Sequence, residues 1–255
     1  MKRKDLPFDK PMLFGHRGYS SLMPENTLPA FLLCIEKGIS GVELDVQLCK
    51  TGELVVVHDA NMKRVSGRDA LVTELTFDEL RALDVGDGQQ VPLLSELFES
   101  CKDKLYYDIE LKVPGLQDGG LAEKTWQTIK RFGLEKRCMV SSFNPLAIRR
   151  FNKISKQAIP SAVIFDEGPS MPKIFRHGWG RHLAQCSFLK PPLAQLDEAF
   201  VKKFKTQKGY PLCTWTVGSL LEGKRSLDLG ADGLISNDPA MFLPLVLEKR
   251  GKQER

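Results

Sequence analysis

The sequence predicts an α/β protein built on a parallel sheet that closes into a barrel. Three observations point there. Short β-branched or apolar runs alternate with amphipathic stretches almost to the end of the chain, and such alternation implies a parallel sheet covered by helices. The length of 255 residues matches the roughly 250 residues that a parallel α/β barrel uses as a single unit, although length alone also allows two small domains. A weak internal repeat, Gly38-Ile39-Ser40-Gly41 and Gly230-Ala231-Asp232-Gly233, leads into an early strand and into the last one. In each copy the first glycine can take the left-handed position that ends a helix, and the second opens the strand. An open doubly wound sheet uses similar turns, so the repeat supports closure without requiring it.

In chain order, the strand-like runs are Met12-Phe14, Gly41-Val46, Leu54-Val57, Leu105-Leu111, Cys138-Ser142, Ala162-Phe165, Ala184-Phe188, Leu212-Val217 and Gly233-Ser236. Helix-like runs lie between most of them. The first is the clearest: Asn26 or Thr27 can cap it, Pro29 fits its first turn, and Leu28, Phe31, Leu32 and Ile35 recur at helical spacing before Gly38. The stretch from about Ala60 to Pro92 breaks the alternation. It holds Ser66-Gly67-Arg68-Asp69, a short helical pattern (Phe77, Leu80, Leu83) and the turn-rich Asp84-Val85-Gly86-Asp87-Gly88. We expect an inserted subdomain over residues 60–92, within a single domain spanning 1–255, hanging over whatever site the barrel carries.

Apolar residues make up 42% of the chain and charged ones 27%, the balance of a globular protein whose core needs no staples. The net charge of +5 is spread out. Its dense points, Lys2-Arg3-Lys4 and Lys249-Arg250-Gly251-Lys252, read as solvated termini. No groove-reading motif accompanies them, so no nucleic-acid partner is expected. The six cysteines (Cys34, Cys49, Cys101, Cys138, Cys186 and Cys213) form no C-x-x-C pair and read as buried reduced thiols, which fits a cytoplasmic location. The basic N-terminus turns to Asp5, Pro7 and Asp9 without an apolar run, so no secretory leader is expected. No apolar segment approaches the roughly 20 residues that span a bilayer, which argues against stable membrane insertion. No Rossmann or P-loop glycine fingerprint appears either, and a homodimer is neither required nor excluded.

The chemistry concentrates near the start. Phe14-Gly15-His16-Arg17-Gly18 and Val57-His58-Asp59 bracket Gly41-Val42-Glu43-Leu44-Asp45-Val46. A strand points residues i and i+2 to one face, so Glu43 and Asp45 converge while Val42, Leu44 and Val46 pack on the other side. In Leu105-Tyr106-Tyr107-Asp108-Ile109-Glu110-Leu111-Lys112, the same rule places Asp108, Glu110 and Lys112 on one face, with Glu110 and Lys112 nearest a barrel's mouth. Three carboxylates, Glu43, Asp45 and Glu110, suit Mg²⁺ or Ca²⁺, and the absence of a Cys–His cluster argues against zinc. The structural alternative is an ion-paired network with Arg17 and Lys112. His16 and His58 each follow an apolar strand. Beside a metal-neutralised anion site they fit an acid–base pair for phosphodiester cleavage, with Arg17 and Lys112 holding phosphate charge. His177 and His182 have no carboxylate partners nearby in sequence and read as surface or packing residues.

These residues also resemble a family. His16-Arg17-Gly18, Pro24-Glu25-Asn26-Thr27, Glu43-Leu44-Asp45-Val46 and Val57-His58-Asp59 look like the glycerophosphodiester phosphodiesterase signature in order and approximate spacing. Val91-Pro92-Leu93-Leu94-Ser95-Glu96-Leu97, Glu110-Leu111-Lys112, Ser141-Ser142-Phe143, Thr214-Trp215-Thr216-Val217 and the closing Gly230–Pro239 stretch extend the match to about residues 11–245. The resemblance implies a (β/α)₈ TIM barrel with a small subdomain inserted after the second βα region. It implies hydrolysis of glycerophosphodiesters, such as glycerophosphocholine, to an alcohol and sn-glycerol 3-phosphate, a step of lipid and glycerol metabolism. By motif matching, His16 and His58 would be the acid–base pair, Glu43, Asp45 and Glu110 the ligands of a divalent cation, and Arg17 and Lys112 the phosphate binders. Phe143 and Trp215 would wall the glycerol pocket. In the mechanism usually proposed for the family, the glycerol 2-hydroxyl attacks phosphorus and water then opens a cyclic phosphate. Two departures stand out: Val217-Gly218 where an Asn is frequent, and Pro92-Leu93-Leu94 where Pro-Thr-Leu is frequent.

Two further readings compete. A lysophospholipase D acting on lysophospholipids would want an apolar rim or an amphipathic surface segment. The only candidate stretch, Phe242-Leu243-Pro244-Leu245-Val246-Leu247, reads better as the last barrel helix. A non-catalytic barrel that binds phosphate esters would predict a degraded histidine pair or carboxylate set, and both are intact.

Overall fold

The computed structural model describes residues 11–169 and 171–253; the basic Lys2-Arg3-Lys4 stretch lies outside them. Nine strands form one sheet among the described residues: β1 (Met12–His16), β2 (Gly41–Leu48), β3 (Leu54–Val56), β4 (Tyr106–Leu111), β5 (Cys138–Ser142), β6 (Ser161–Ile164), β7 (Phe188–Lys190), β8 (Cys213–Thr214) and β9 (Gly233–Ser236). Eight of them run parallel in the order β7-β6-β5-β4-β2-β1-β9-β8. Parallel bridges Leu189 to Leu212 and Pro192 to Trp215 join the two ends, so the sheet is a closed (β/α)₈ barrel. A helix follows each βα loop, as the alternation predicted.

Local chemistry explains the turns. Gly38 and Gly230 end their helices with φ of +72° and +100°, a conformation that costs glycine no Cβ clash. Gly41 opens β2 beside the Phe14 ring, and a Cβ there would lie 2.6 Å from it. Thr27 caps the helix Leu28–Glu36 in the extended conformation, but its hydroxyl donates to Pro24 O (2.6 Å). That helix buries Ala30, Phe31 and Cys34, and packs Leu28 and Ile35 against the core as the spacing predicted, but leaves Leu32 exposed.

Three expectations about strands need correcting. Leu54–Val56 pairs antiparallel with β2 rather than joining the barrel, because a tight turn closed by Cys49 N to Glu53 O (3.2 Å) folds it straight back. Ala184 ends a short helix, and the strand is Phe188–Lys190; with two apolar residues and a terminal charge, it is too short to stand out as an apolar run. The Leu212-Val217 run narrows to Cys213–Thr214, since Trp215 N bonds across to Pro191 O (3.4 Å). The basic C-terminal stretch is less solvated than expected: Lys249 pairs with Asp228 (2.9 Å) and Arg250 Nε donates to Pro11 O (3.0 Å).

The core lies in two layers. Val42, Leu44 and Val46 face the helices with the main cluster. Inside the barrel, Met12, Phe14, Met139, Ala162, Phe188, Cys213 and Ile235 fill the lower half. Above them sits a polar layer in which Lys190 Nζ bridges Asp108 Oδ2 (2.7 Å) and Ser141 Oγ (3.1 Å). Residues between β3 and the helix Leu94–Cys101 build two short helices, Lys63–Ser66 and Phe77–Arg81, around Met62, Val72, Leu75, Leu80 and Val91. All six cysteines are buried and free.

Candidate active site

Strand register assembles the site. β1 and β2 pair His16 with Glu43, and β2 and β4 pair Asp45 with Glu110. Alternation then turns these side chains into the barrel at its carboxyl-terminal mouth, where barrel enzymes carry their chemistry. Glu43, Asp45 and Glu110 are buried, with one oxygen of each within 4.8 Å of the others. Neutralisation is partial: Lys112 Nζ lies 3.1 Å from Asp45 Oδ1 and 2.8 Å from Glu110 Oε1, and Arg17 Nε is 3.6 Å from Asp45 Oδ2. Arg17 is shared, since its Nη1 donates to Glu25 (2.8 Å). Ion pairing and a carboxylate cluster therefore coexist here.

Electrostatics separates the three acids. Burial and the neighbouring Asp45 push the Glu43 carboxyl well above its ordinary value. Burial would also raise Asp45, but Lys112, His58, Arg17 and the Asn26 hydrogen bond outweigh it and hold Asp45 low. For Lys112, burial is outweighed by Asp45 and Glu110, and its pKa rises. Lys112 and Arg17 pair with Asp45 and Glu110 but not with Glu43, whose ionised form would need a further cation. Three convergent carboxylate oxygen donors fit a hard divalent cation.

The two histidines flank the cluster. His16 Nδ1 donates to Asn237 Oδ1 (2.6 Å), leaving Nε2 facing Glu43 Oε2 at 3.9 Å. Burial, then the Arg17 charge, lower its pKa to about 4. His58 Nδ1 bonds Asp59 Oδ1 (2.6 Å). Both rings, with Arg17, Lys112, Phe143 and Trp215, line one cavity of about 450 Å³. Phe143 and Trp215 meet edge-on, 5.5 Å between centroids. His177 and His182 stand apart on the surface.

Five residues that the sequence reading left without a site role support this arrangement. Asn26, at a strained φ of +57°, donates to Asp45 Oδ2 (2.8 Å). Gln47 Nε2 reaches the carbonyls of Val57, His58 and Asp59 at 3.0, 3.1 and 3.0 Å, pinning the His58 turn. Asn237 orients His16 from 221 positions away. Arg64 ties Asp59 (2.5 Å) to Glu25 (2.6 Å), and Lys190 floors the cavity. Gln47 carried a signal as the next inward position after Glu43 and Asp45, and Asn26 and Asn237 fall inside matched motifs; Arg64 and Lys190 carried none.

Comparison with known proteins agrees. The family model described as "Glycerophosphoryl diester phosphodiesterase family" matches residues 16–241. A glycerophosphodiester phosphodiesterase of Caldanaerobacter subterraneus subsp. tengcongensis is 32% identical over 246 residues, covering 93% of this chain and 98% of the relative. Among solved structures, the glycerophosphodiester phosphodiesterase of Thermotoga maritima superposes with TM-score 0.75 at 28% identity, covering 92% of this chain and 98% of that one. An Oleispira antarctica phosphodiesterase in complex with the product sn-glycerol-3-phosphate superposes with TM-score 0.78 at 25% identity, covering 94% and 97%. Sequence, barrel topology and relatives thus converge, and the chain belongs to the glycerophosphoryl diester phosphodiesterase family of enzymes.

Proposed function

We propose that the protein hydrolyses glycerophosphodiesters, such as glycerophosphocholine, to an alcohol and sn-glycerol 3-phosphate, with His16 and His58 as the acid–base pair. The observation that carries this reading is two imidazoles in one cavity with a buried three-carboxylate cluster, Arg17 and Lys112. Glu43, Asp45 and Glu110 would hold Mg²⁺ or Ca²⁺. Such an ion polarises phosphate oxygens and offsets the negative charge that builds during displacement. Arg17 offers a planar fork to the phosphate and Lys112 a point charge. One ring takes the proton of the glycerol 2-hydroxyl as that oxygen attacks phosphorus, and the other protonates the departing alkoxide. In the second half the roles reverse, and water opens the cyclic phosphate. Asn237 and Asp59 engage Nδ1 of the two rings and leave each Nε2 for proton transfer. Residues 60–92 act as a subdomain that brings Arg64 to this network, and the buried thiols suit a cytoplasmic enzyme.

One observation favours a second substrate class. No helix among the described residues is long and apolar enough to cross a membrane, yet Leu22, Leu116, Ile174, Trp179, Leu220 and Leu221 are each more than half exposed. All six sit on loops or helix starts that follow barrel strands, the end that carries the mouth. An apolar rim of that kind suits a lysophospholipid. It escaped the sequence reading because separate loops assemble it, with no contiguous amphipathic segment. Assaying glycerophosphocholine and lysophosphatidylcholine side by side with each metal, and identifying the phosphate product, tests both. Release of sn-glycerol 3-phosphate from the former supports the main reading; cleavage of the latter alone replaces it, and cleavage of neither refutes both.

A further inference from the structure

The charges lining the cavity are not evenly placed. Arg17 and Lys112 follow β1 and β4, beside the carboxylate cluster, while Lys190 is bound to Asp108 beneath. Asp166 also lines this cavity, but it follows β6. Around the closed barrel β6 is four strands from β1 in either direction, so Asp166 stands across the mouth from Arg17, while Lys112, after β4, lies two strands from it. It is half-buried, and among the described residues no Lys, Arg or His forms an ion pair with it. One oxygen, Oδ1, accepts from Gly168 N (3.0 Å), which holds the carboxylate in place. Phe143 and Trp215, which follow β5 and β8, line the same space and pack edge-on at 89°.

A carboxylate without a counter-ion, beside aromatic rings in a confined cavity, is an arrangement that recognises an organic ammonium group through charge and cation–π attraction. We infer that Asp166 sets a preference for glycerophosphodiesters whose alcohol carries an ammonium group, primary or quaternary, over those with an uncharged polyol. The cavity is then complementary to a zwitterion: phosphate toward Arg17 on the β1 side, ammonium toward Asp166 on the β6 side. This inference rests on the phosphodiesterase reading above and adds the class of leaving alcohol.

The test compares kcat/KM for glycerophosphocholine and for glycerophosphoglycerol in the wild-type protein, Asp166→Asn and Asp166→Glu. Asparagine keeps the oxygen that accepts from Gly168 N, so the turn survives, and equal melting temperatures would verify it. The ratio of choline to glycerol substrate should fall about ten-fold in Asp166→Asn, equivalent to about 1.4 kcal/mol, mainly through KM, and recover in Asp166→Glu. An unchanged ratio, or equal losses on both substrates, would overturn the inference, the latter by assigning Asp166 to the shared glycerol. If the wild-type protein cleaves neither diester, the phosphodiesterase reading itself fails, and that outcome is distinct from a changed or unchanged ratio.

Discussion

Replacing Lys190 by Met should destabilise the protein by about 3–5 kcal/mol, the usual cost of stranding one member of a buried ion pair. Lys190 and Asp108 are 2% and 0% exposed, with Nζ and Oδ2 2.7 Å apart. At an effective dielectric near 20, charges so close attract by about 6 kcal/mol. Met preserves the aliphatic stem but removes that attraction, leaving Asp108 with only the Ser141 hydroxyl (2.8 Å) inside the barrel. Urea unfolding of Lys190→Met, Asp108→Asn and the double variant measures the coupling. The double variant should recover at least about 2 kcal/mol relative to additivity, because neither charge is then stranded. In thermal melts the single loss should lower Tm by roughly 10 °C for a chain of this size. Burial alone would lower the Lys190 pKa, but Asp108, Glu43 and Glu110 outweigh it and raise it. This contribution is therefore complete below the unfolded value of about 10.4 and is lost as pH rises through the higher folded value. A single-variant loss below about 1 kcal/mol, or strict additivity, would refute this account of the barrel interior.

Three other outcomes follow from the site. His16→Ala and His58→Ala should each lower kcat by about 10²–10⁴-fold in a folded protein, read by steady-state kinetics alongside circular dichroism; full activity in both would remove them from the chemistry. Treatment with EDTA should abolish turnover and added Mg²⁺ or Ca²⁺ should restore it, whereas indifference to chelation would count against a cation held by Glu43, Asp45 and Glu110. Burial pushes the Cys34 thiol up to about 12 and raises Cys138 and Cys213 well above the ordinary value. At pH 8 these thiols stay protonated, so a thiol-reactive disulfide reagent should label them only after denaturation; rapid labelling in the native state would contradict their burial.

The readable part of the molecule was the part governed by period. Alternation along β2 and β4 put Glu43, Asp45, Glu110 and Lys112 on inward faces, and the apolar complement, Val42, Leu44 and Val46, packs outward. Where a residue's surroundings come from distant chain, the pattern misled. Lys190 had no role in the sequence reading, because its partner Asp108 comes from a strand about eighty positions earlier and meets it only inside the barrel. Leu32 looked like core because it recurs at helical spacing, yet Cys34 and Ala30 take the inward face.

From sequence alone came the alternating α/β order, the acidic pair on one strand face and two histidines at strand ends, since backbone periodicity acts between residues a few positions apart. Only the closed barrel decided that Asn237 meets His16, that Lys190 neutralises Asp108 and that Asp166 stands across the mouth from Arg17. Those contacts depend on register between strands and on closure of the sheet, which bring together residues tens to hundreds of positions apart and leave no local trace along the chain.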